Sequence, residues 1–219
     1  MTVISDDDTL SRVSRPQDIR VDLLLIARAI PPGSRVLDVG CGDGALMDYL
    51  VRERDADARG IELSQEGVNA CVARGLSVVQ GDADTDLKDY PSKAFDYVIL
   101  SQTLQATRKP KEVIRELLRI GRHAIVSFPN FGFWKVRAKL FFGGRMPNTG
   151  TLDHPWYDTP NIHLCTVRDF VELCESLDVT IEESLAIDSK GRPMRFASRL
   201  WLANLFADQG LFVLRKNDS

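Results

Sequence analysis

Apolar residues fall into two kinds of run along the chain, and their alternation predicts an α/β fold. At helical spacing lie Ile19, Leu23, Ile26 and Ile30 within residues 18–30, a run that Pro31-Pro32-Gly33 stops. Residues 45–54 put Leu46, Tyr49 and Leu50 on one side, and Ser64 stands where it can cap a third helix carrying Val68, Cys71 and Val72 inward. Residues 111–119 predict a fourth helix, with Val113, Ile114, Leu117 and Leu118 buried. Between these helices the short runs 35–39, 58–63, 76–79, 95–100 and 124–128 are mostly apolar, as expected of strands covered on both faces. Further along, Thr166-Val-Arg-Asp169 has the form of a capping box, opening a helix with Val167, Phe170, Val171, Cys174 and Leu177 as its inner stripe. Residues 179–187 and 210–215 predict two more strands around a short helix at 197–206.

This order of elements predicts a Rossmann-like, doubly wound, mostly parallel sheet of seven strands, since right-handed crossovers leave few other topologies. A chain of 219 residues fits one such unit. The polar, acidic residues 1–15 are expected to be a loose tail, and 16–219 a single domain. Residues 131–165 interrupt the pattern as an insertion after the fifth strand. At about 35 residues it far exceeds a usual connection, which points to a lid, a binding surface or disorder. Its aromatics Phe131, Phe133, Trp134, Phe141, Phe142, Trp156 and Tyr157 argue against disorder, and its position puts it at the ligand-binding edge of the sheet.

Composition narrows the function classes. With 44% hydrophobic and 27% charged residues the chain can form a core, and a net charge of -3 without a basic stripe argues against nucleic acid as a partner. No window is long and apolar enough to span a membrane, and the start lacks the pattern of a signal peptide, so the expected location is the cytoplasm. Cys41, Cys71, Cys165 and Cys174 show no CxxC pair or zinc-ligand spacing, so reduced, buried thiols and no metal are expected.

The chemistry concentrates in Val36-Leu-Asp-Val-Gly-Cys-Gly-Asp-Gly44, a glycine turn between the first strand and a helix. Bare backbone there lets a ligand approach where any Cβ would collide. Dinucleotide enzymes space their glycines as G-x-G-x-x-G. Here Gly40, Gly42 and Gly44 alternate with Cys41 and Asp43, and Asp38 precedes them within the strand. Two carboxylates would repel a pyrophosphate, whereas Asp38 suits an ammonium such as that of S-adenosylmethionine (SAM). Singly, Asp38 could be a strand-end cap, Glu62 a solvated carboxylate and Asp82 a turn former.

Together these residues resemble the motifs of class I SAM-dependent methyltransferases. The resemblance implies that Asp38, Gly40, Cys41, Gly42 and Gly44 surround the amino-acid part of SAM or S-adenosylhomocysteine. Gly60-Ile-Glu62 would serve the ribose, Gly81-Asp82-Ala83 the adenine, and Phe95 to Gln105, with Ser101 and Gln102, the side nearest the sulfonium, while Leu63 is a further cofactor-binding residue. No catalytic residue is implied, and Gln102 and Gln105 stand where many small-molecule methyltransferases carry a base. A longer resemblance, through Ser101-Gln-Thr-Leu-Gln105, Phe128-Pro-Asn-Phe-Gly-Phe-Trp134 and Trp156-Tyr-Asp-Thr-Pro-Asn-Ile-His-Leu-Cys-Thr166, is to the methionine biosynthesis protein MetW family. It implies association with, and activation of, homoserine O-acyltransferase. The alternative is a methyltransferase for an unidentified small molecule, and a third reading is a scaffold with an empty pocket. In the insertion, His154, Tyr157, Asp158 and His163 are candidate lid groups, and Phe133, Trp134, Phe141 and Trp156 candidate docking anchors.

Overall fold

Strands β1 (Arg35–Val39), β2 (Asp57–Glu62), β3 (Ser77–Gln80), β4 (Phe95–Ser101) and β5 (Gly121–Pro129) run parallel to one another in a computed structural model that describes residues 19–149, 151–152, 154–190, 192–194 and 199–217. The tail expected at 1–15 lies outside the described residues. The sheet continues through β8 (Gln209–Lys216), β6 (Val179–Ile187) and the two-residue edge strand β7 (Pro193–Met194), giving the order β3-β2-β1-β4-β5-β8-β6-β7. β8 is antiparallel to both neighbours, so β6 points the same way as β5. The seven expected strands are thus present, with β7 added at the edge.

Helices cover both faces, and the period of two along each strand sorts the side chains between them. Leu37 and Val39 of β1 join one core with Val98, Val126, Phe128 and Phe212, under α4 (Pro110–Ile120) and α6 (Val167–Ser176). Val36 joins the other with Ile99, Ile125 and Val213, under α1 (Val21–Ala29), α2 (Ala45–Arg54) and Cys71 of α3 (Gln65–Ala73). Phe170 of α6 lies 4.8 Å from Phe128 and 4.7 Å from Phe212 between ring centres, fixing α6 on β5 and β8. The capping box forms as expected: Asp169 N–H donates to Thr166 Oγ1, and Thr166 N–H to Asp169 Oδ2 at 2.9 Å. Ser64 caps α3 by accepting from Gly67 N–H at 3.0 Å. Val72, expected inward, is 60% exposed; among the α3 residues only Gly67 and Cys71 are fully covered at this end of the sheet. No helix among the described residues is long and apolar enough to cross a membrane.

The insertion contains a helix that its pattern did not predict. Residues 134–143 form α5 (Trp134–Gly143), and Val136 and Leu140 pack with Phe131, Phe133 and Leu152 into a small satellite cluster. This corrects one candidate: Phe133 is only 3% exposed, so its ring is spent on packing and is not a docking anchor. Asn130, buried directly after β5, ties the insertion down with four hydrogen bonds. Its amide donates to Asn204 O and Ala207 O, and its carbonyl accepts from Gly132 N–H and Val167 N–H. Both ends of the insertion, and the end of α7 (Leu200–Phe206), therefore meet at one side chain. Gly132 is needed beside it, because a Cβ there would sit 2.7 Å from Asn204 Oδ1.

Candidate functional site

The strand order reverses between β1 and β4, so the crevice beyond their carboxyl ends is where an open α/β sheet binds ligands. The turn after β1 fills one side of it. Gly40 and Cys41 both donate their N–H to Ile61 O, drawing the turn across the end of β2. The positive φ angles of Gly40, Gly42 and Gly44 are +73°, +57° and +78°, conformations that side chains other than glycine rarely adopt. Their surroundings differ. A Cβ on Gly40 would collide with Thr103 Oγ1 at 2.7 Å, and one on Gly44 with Leu76 and Cys71. A Cβ on Gly42 would meet nothing within 4 Å, so this backbone faces open space.

Three carboxylates stand at the ends of three adjoining strands. Asp38, on β1 beside Gly60 of β2, is 3% exposed, and its carboxyl accepts no hydrogen bond from a described residue. Burial, aided by the Glu62 carboxylate, pushes its carboxyl up to about 7. Glu62 accepts from Gly42 N–H and Ser64 N–H, each at 2.8 Å, and so bridges the glycine turn to the start of α3. Gly81 N–H donates to Glu62 O at 3.0 Å, which brings Asp82 to the same edge. Asp82 Oδ1 accepts from Asp84 N–H, and its own N–H donates to Asp86, closing a tight turn. Leu63 is 65% exposed, an apolar surface at the cleft rim that no core cluster claims. Ala83 instead packs on the core.

At two expected residues the Cβ direction is turned into the core and away from the cleft. Cys41 is buried, its Sγ 3.8 Å from that of Cys71, and only its backbone can serve the cleft. At Gly44 the Cβ direction is filled by Leu76 and Cys71, so a glycine there lets the turn pack closely against α3. On the other side of the crevice, Ser101 Oγ pairs with Ser127 Oγ at 3.1 Å. Gln102 holds a φ of +53°, a strained value for this residue, and its Nε2 donates to Gln209 Oε1 at 3.1 Å.

Beside Gln102 the crevice opens into a cavity of about 700 Å³ at the same edge of the sheet. Gln105, Asp188, Asp208 and Gln209 line it, and Thr151, His154 and Asn161 of the insertion close one side. Of the candidate lid groups His154 thus reaches the cavity, while Tyr157 is 74% exposed and does not line it. Asp158 is exposed and is absent from that lining too. His163 is also exposed, with Nε2 3.5 Å from Arg108 O. Among the described residues no group of three or more His, Cys, Asp or Glu could hold a metal ion. Asp208 and Thr103 were not anticipated. Asp208 precedes β8, and only the antiparallel insertion of that strand carries it to the ligand edge.

A family model described as "Methionine biosynthesis protein MetW" matches residues 20–214. The bifunctional methionine biosynthesis protein MetXA/MetW of Rhodopirellula baltica is 38% identical over 83% of this chain, which spans 31% of that protein's length. A fatty-acid O-methyltransferase of Mycolicibacterium smegmatis is 42% identical over 44% of the chain and 35% of its own. Among solved structures, an S-adenosylmethionine-dependent methyltransferase from Mesorhizobium loti superposes with a TM-score of 0.63 at 18% identity, covering 88% of this chain and 96% of that one. A SAM-dependent methyltransferase from Archaeoglobus fulgidus gives 0.61 at 18% identity, covering 90% and 93%. These two likenesses carry the fold alone. With the family match and the strand order in agreement, the chain belongs to the MetW family of methionine biosynthesis and has the Rossmann-like fold of class I methyltransferases.

Proposed function

We propose that the chain binds SAM or S-adenosylhomocysteine in the cleft of Gly40, Gly42, Glu62 and Asp82, and that it associates with and activates homoserine O-acyltransferase. The observation that carries the first half is the open space over Gly42, flanked by the buried Asp38 carboxyl and the Glu62 bridge. Asp38 would face the ammonium, Glu62 the ribose hydroxyls, and Leu63 the adenine, with Asp82 at its amino group. When bound, SAM supplies an activated methyl group. The protein's own contribution is a set of fixed acceptors at strand ends.

Asp38 makes this testable by pH. A ligand ammonium beside it favours the carboxylate, so binding draws its proton off. SAM affinity is therefore expected to rise between about pH 6 and pH 8, with release of a proton. Calorimetry in two buffers of different ionisation enthalpy measures this directly. Proton uptake, or a flat profile, would count against Asp38 as the ammonium partner.

Support for the second half comes from the R. baltica relative, whose name joins MetXA and MetW in one protein, and from the surface of the insertion. α5 buries Val136 but leaves Trp134 46%, Phe141 83% and Phe142 84% exposed; Trp156 is 72% exposed. Large aromatics presented to water in this number mark an interaction surface. Trp134→Ala combined with Phe141→Ala is expected to weaken association with the acyltransferase by at least about 2 kcal/mol, or roughly thirtyfold, while SAM binding stays unchanged. Pull-down together with acyltransferase assays, with and without added SAM, reads both effects. Full activation by the double variant would remove this face from the interface.

A further inference from the structure

We propose that the hollow beside α5, between Lys139 and Arg145, receives an acidic segment of the acyltransferase. This rests on the association proposed above and adds the chemistry of the surface that α5 meets. The sequence concentrates charge of one sign here. Residues 131–165 hold Lys135, Arg137, Lys139 and Arg145 against Asp153 and Asp158, in a chain whose net charge is -3. All four cations precede the first of those acids.

At about 3.6 residues per turn, Val136 and Leu140 face inward together, which puts Trp134, Phe141 and Phe142 on the outer side. Arg137 borders this aromatic strip on one flank, and Lys135 and Lys139 border it on the other. Just past the helix, Arg145 and Met146 join Lys139 and Phe142 around an open hollow of about 600 Å³. Apolar rings at the centre with charge at the rim form the layout of a protein interface.

These charges do nothing for the helix itself. Lys135 stands in the first turn of α5, where the helix dipole disfavours a cation, and no acid stands there to offset it. Lys135 and Lys139, four residues apart, repel each other. Elsewhere helix cations pair with acids, as Arg52 does with Asp48, Arg119 with Glu116 and Arg168 with Glu172. In α5 the contacts are neutral: Lys139 Nζ donates to Asn148 O, and Arg137 Nε to Gly132 O at 2.6 Å. Lys135 Nζ lies 5.7 Å from the Phe133 ring centre, and it also acts on the buried Asp208 carboxyl. Lys139 and Arg145 stand in no ion pair among the described residues. A carboxylate-bearing partner supplies counter-ions for these two and apolar contact for Phe142 and Met146. The same cations would suit an anionic membrane, but the R. baltica relative, whose name joins MetXA to MetW in one protein, favours a protein surface.

The test measures association of the full chain with purified acyltransferase by biolayer interferometry. Raising NaCl from about 50 to about 500 mM is expected to slow association at least about tenfold, as for oppositely charged surfaces. Lys139→Glu with Arg145→Glu should slow it at least about tenfold at low salt and flatten the salt dependence. Arg28→Glu with Arg115→Glu, an equal change of charge outside the insertion, should change it less than about threefold. If Lys139→Glu disturbs α5, Arg145→Glu alone carries the test, with an expected loss of at least about threefold. A salt-independent rate, an equal loss in the control pair, or full-rate binding by the Arg145 variant overturns this proposal and leaves the association standing. Absence of any binding by the wild type removes both. Vesicles of phosphatidylcholine and phosphatidylglycerol that bind the wild type and not the double variant, while acyltransferase binding is unaffected, would assign this face to a membrane and overturn the proposal as well.

Discussion

Gly42→Val is expected to lower SAM affinity by at least about a hundredfold, which corresponds to about 3 kcal/mol, the scale of forcing atoms into a fitted space. The fold should survive. A Cβ at Gly42 meets nothing within 4 Å, so the new side chain projects into the cleft and not into the sheet. The backbone there has a φ of +57°, and valine in that conformation costs about 1–2 kcal/mol. Gly33 supplies the control: its φ is +74°, its Cβ direction is equally open, and it lies in the turn between α1 and β1. Gly33→Val should cost similar stability and leave SAM binding intact. Circular dichroism with isothermal titration separates the two outcomes; SAM binding by folded Gly42→Val at wild-type strength would place the ligand elsewhere.

Asn130→Ala is expected to destabilise the protein by about 2–4 kcal/mol, because it strands buried backbone groups that have no other side-chain partner among the described residues. The carbonyls of Asn204 and Ala207 and the N–H groups of Gly132 and Val167 all lose a bond at once. In a domain of this size the melting temperature should fall by roughly 5–15 °C. Urea titration gives the more direct value, read as a lower midpoint. A loss under about 0.5 kcal/mol, the range of ordinary surface substitutions, would show that the insertion is held by its apolar cluster alone.

Much of the fold was legible because its signals are local. The apolar runs of β1, β4 and β5, the Ser64 cap and the Thr166–Asp169 box each depend on neighbours in sequence, and each forms. α5 was not legible: its aromatic and basic residues follow no clean stripe, because only Val136 is fully buried, Leu140 is partly so, and most of the helix faces water. Phe133 misled for the related reason that an aromatic beside exposed aromatics gives no sign of which way it turns. In the site, Asp38, Gly42 and Glu62 could be named from their positions at strand ends. The inward turn of Cys41 could not, since side-chain direction in a turn of positive-φ residues follows no period. Asp208 meets the insertion and the turn after β6, both far from it in sequence, only through the direction of β8.

That strand also sets an order of assembly. β6 is joined to the remainder of the sheet only through β8, which hydrogen-bonds β5 on one side and β6 on the other. During synthesis the segment that becomes β6 emerges well before its partner, and the edge of β5 stays bare until β8 arrives. Closure of this half is therefore a late, long-range event of the slow kind, and a chain halted before Gln209 would present an open strand edge to whatever chaperone or neighbour meets it first.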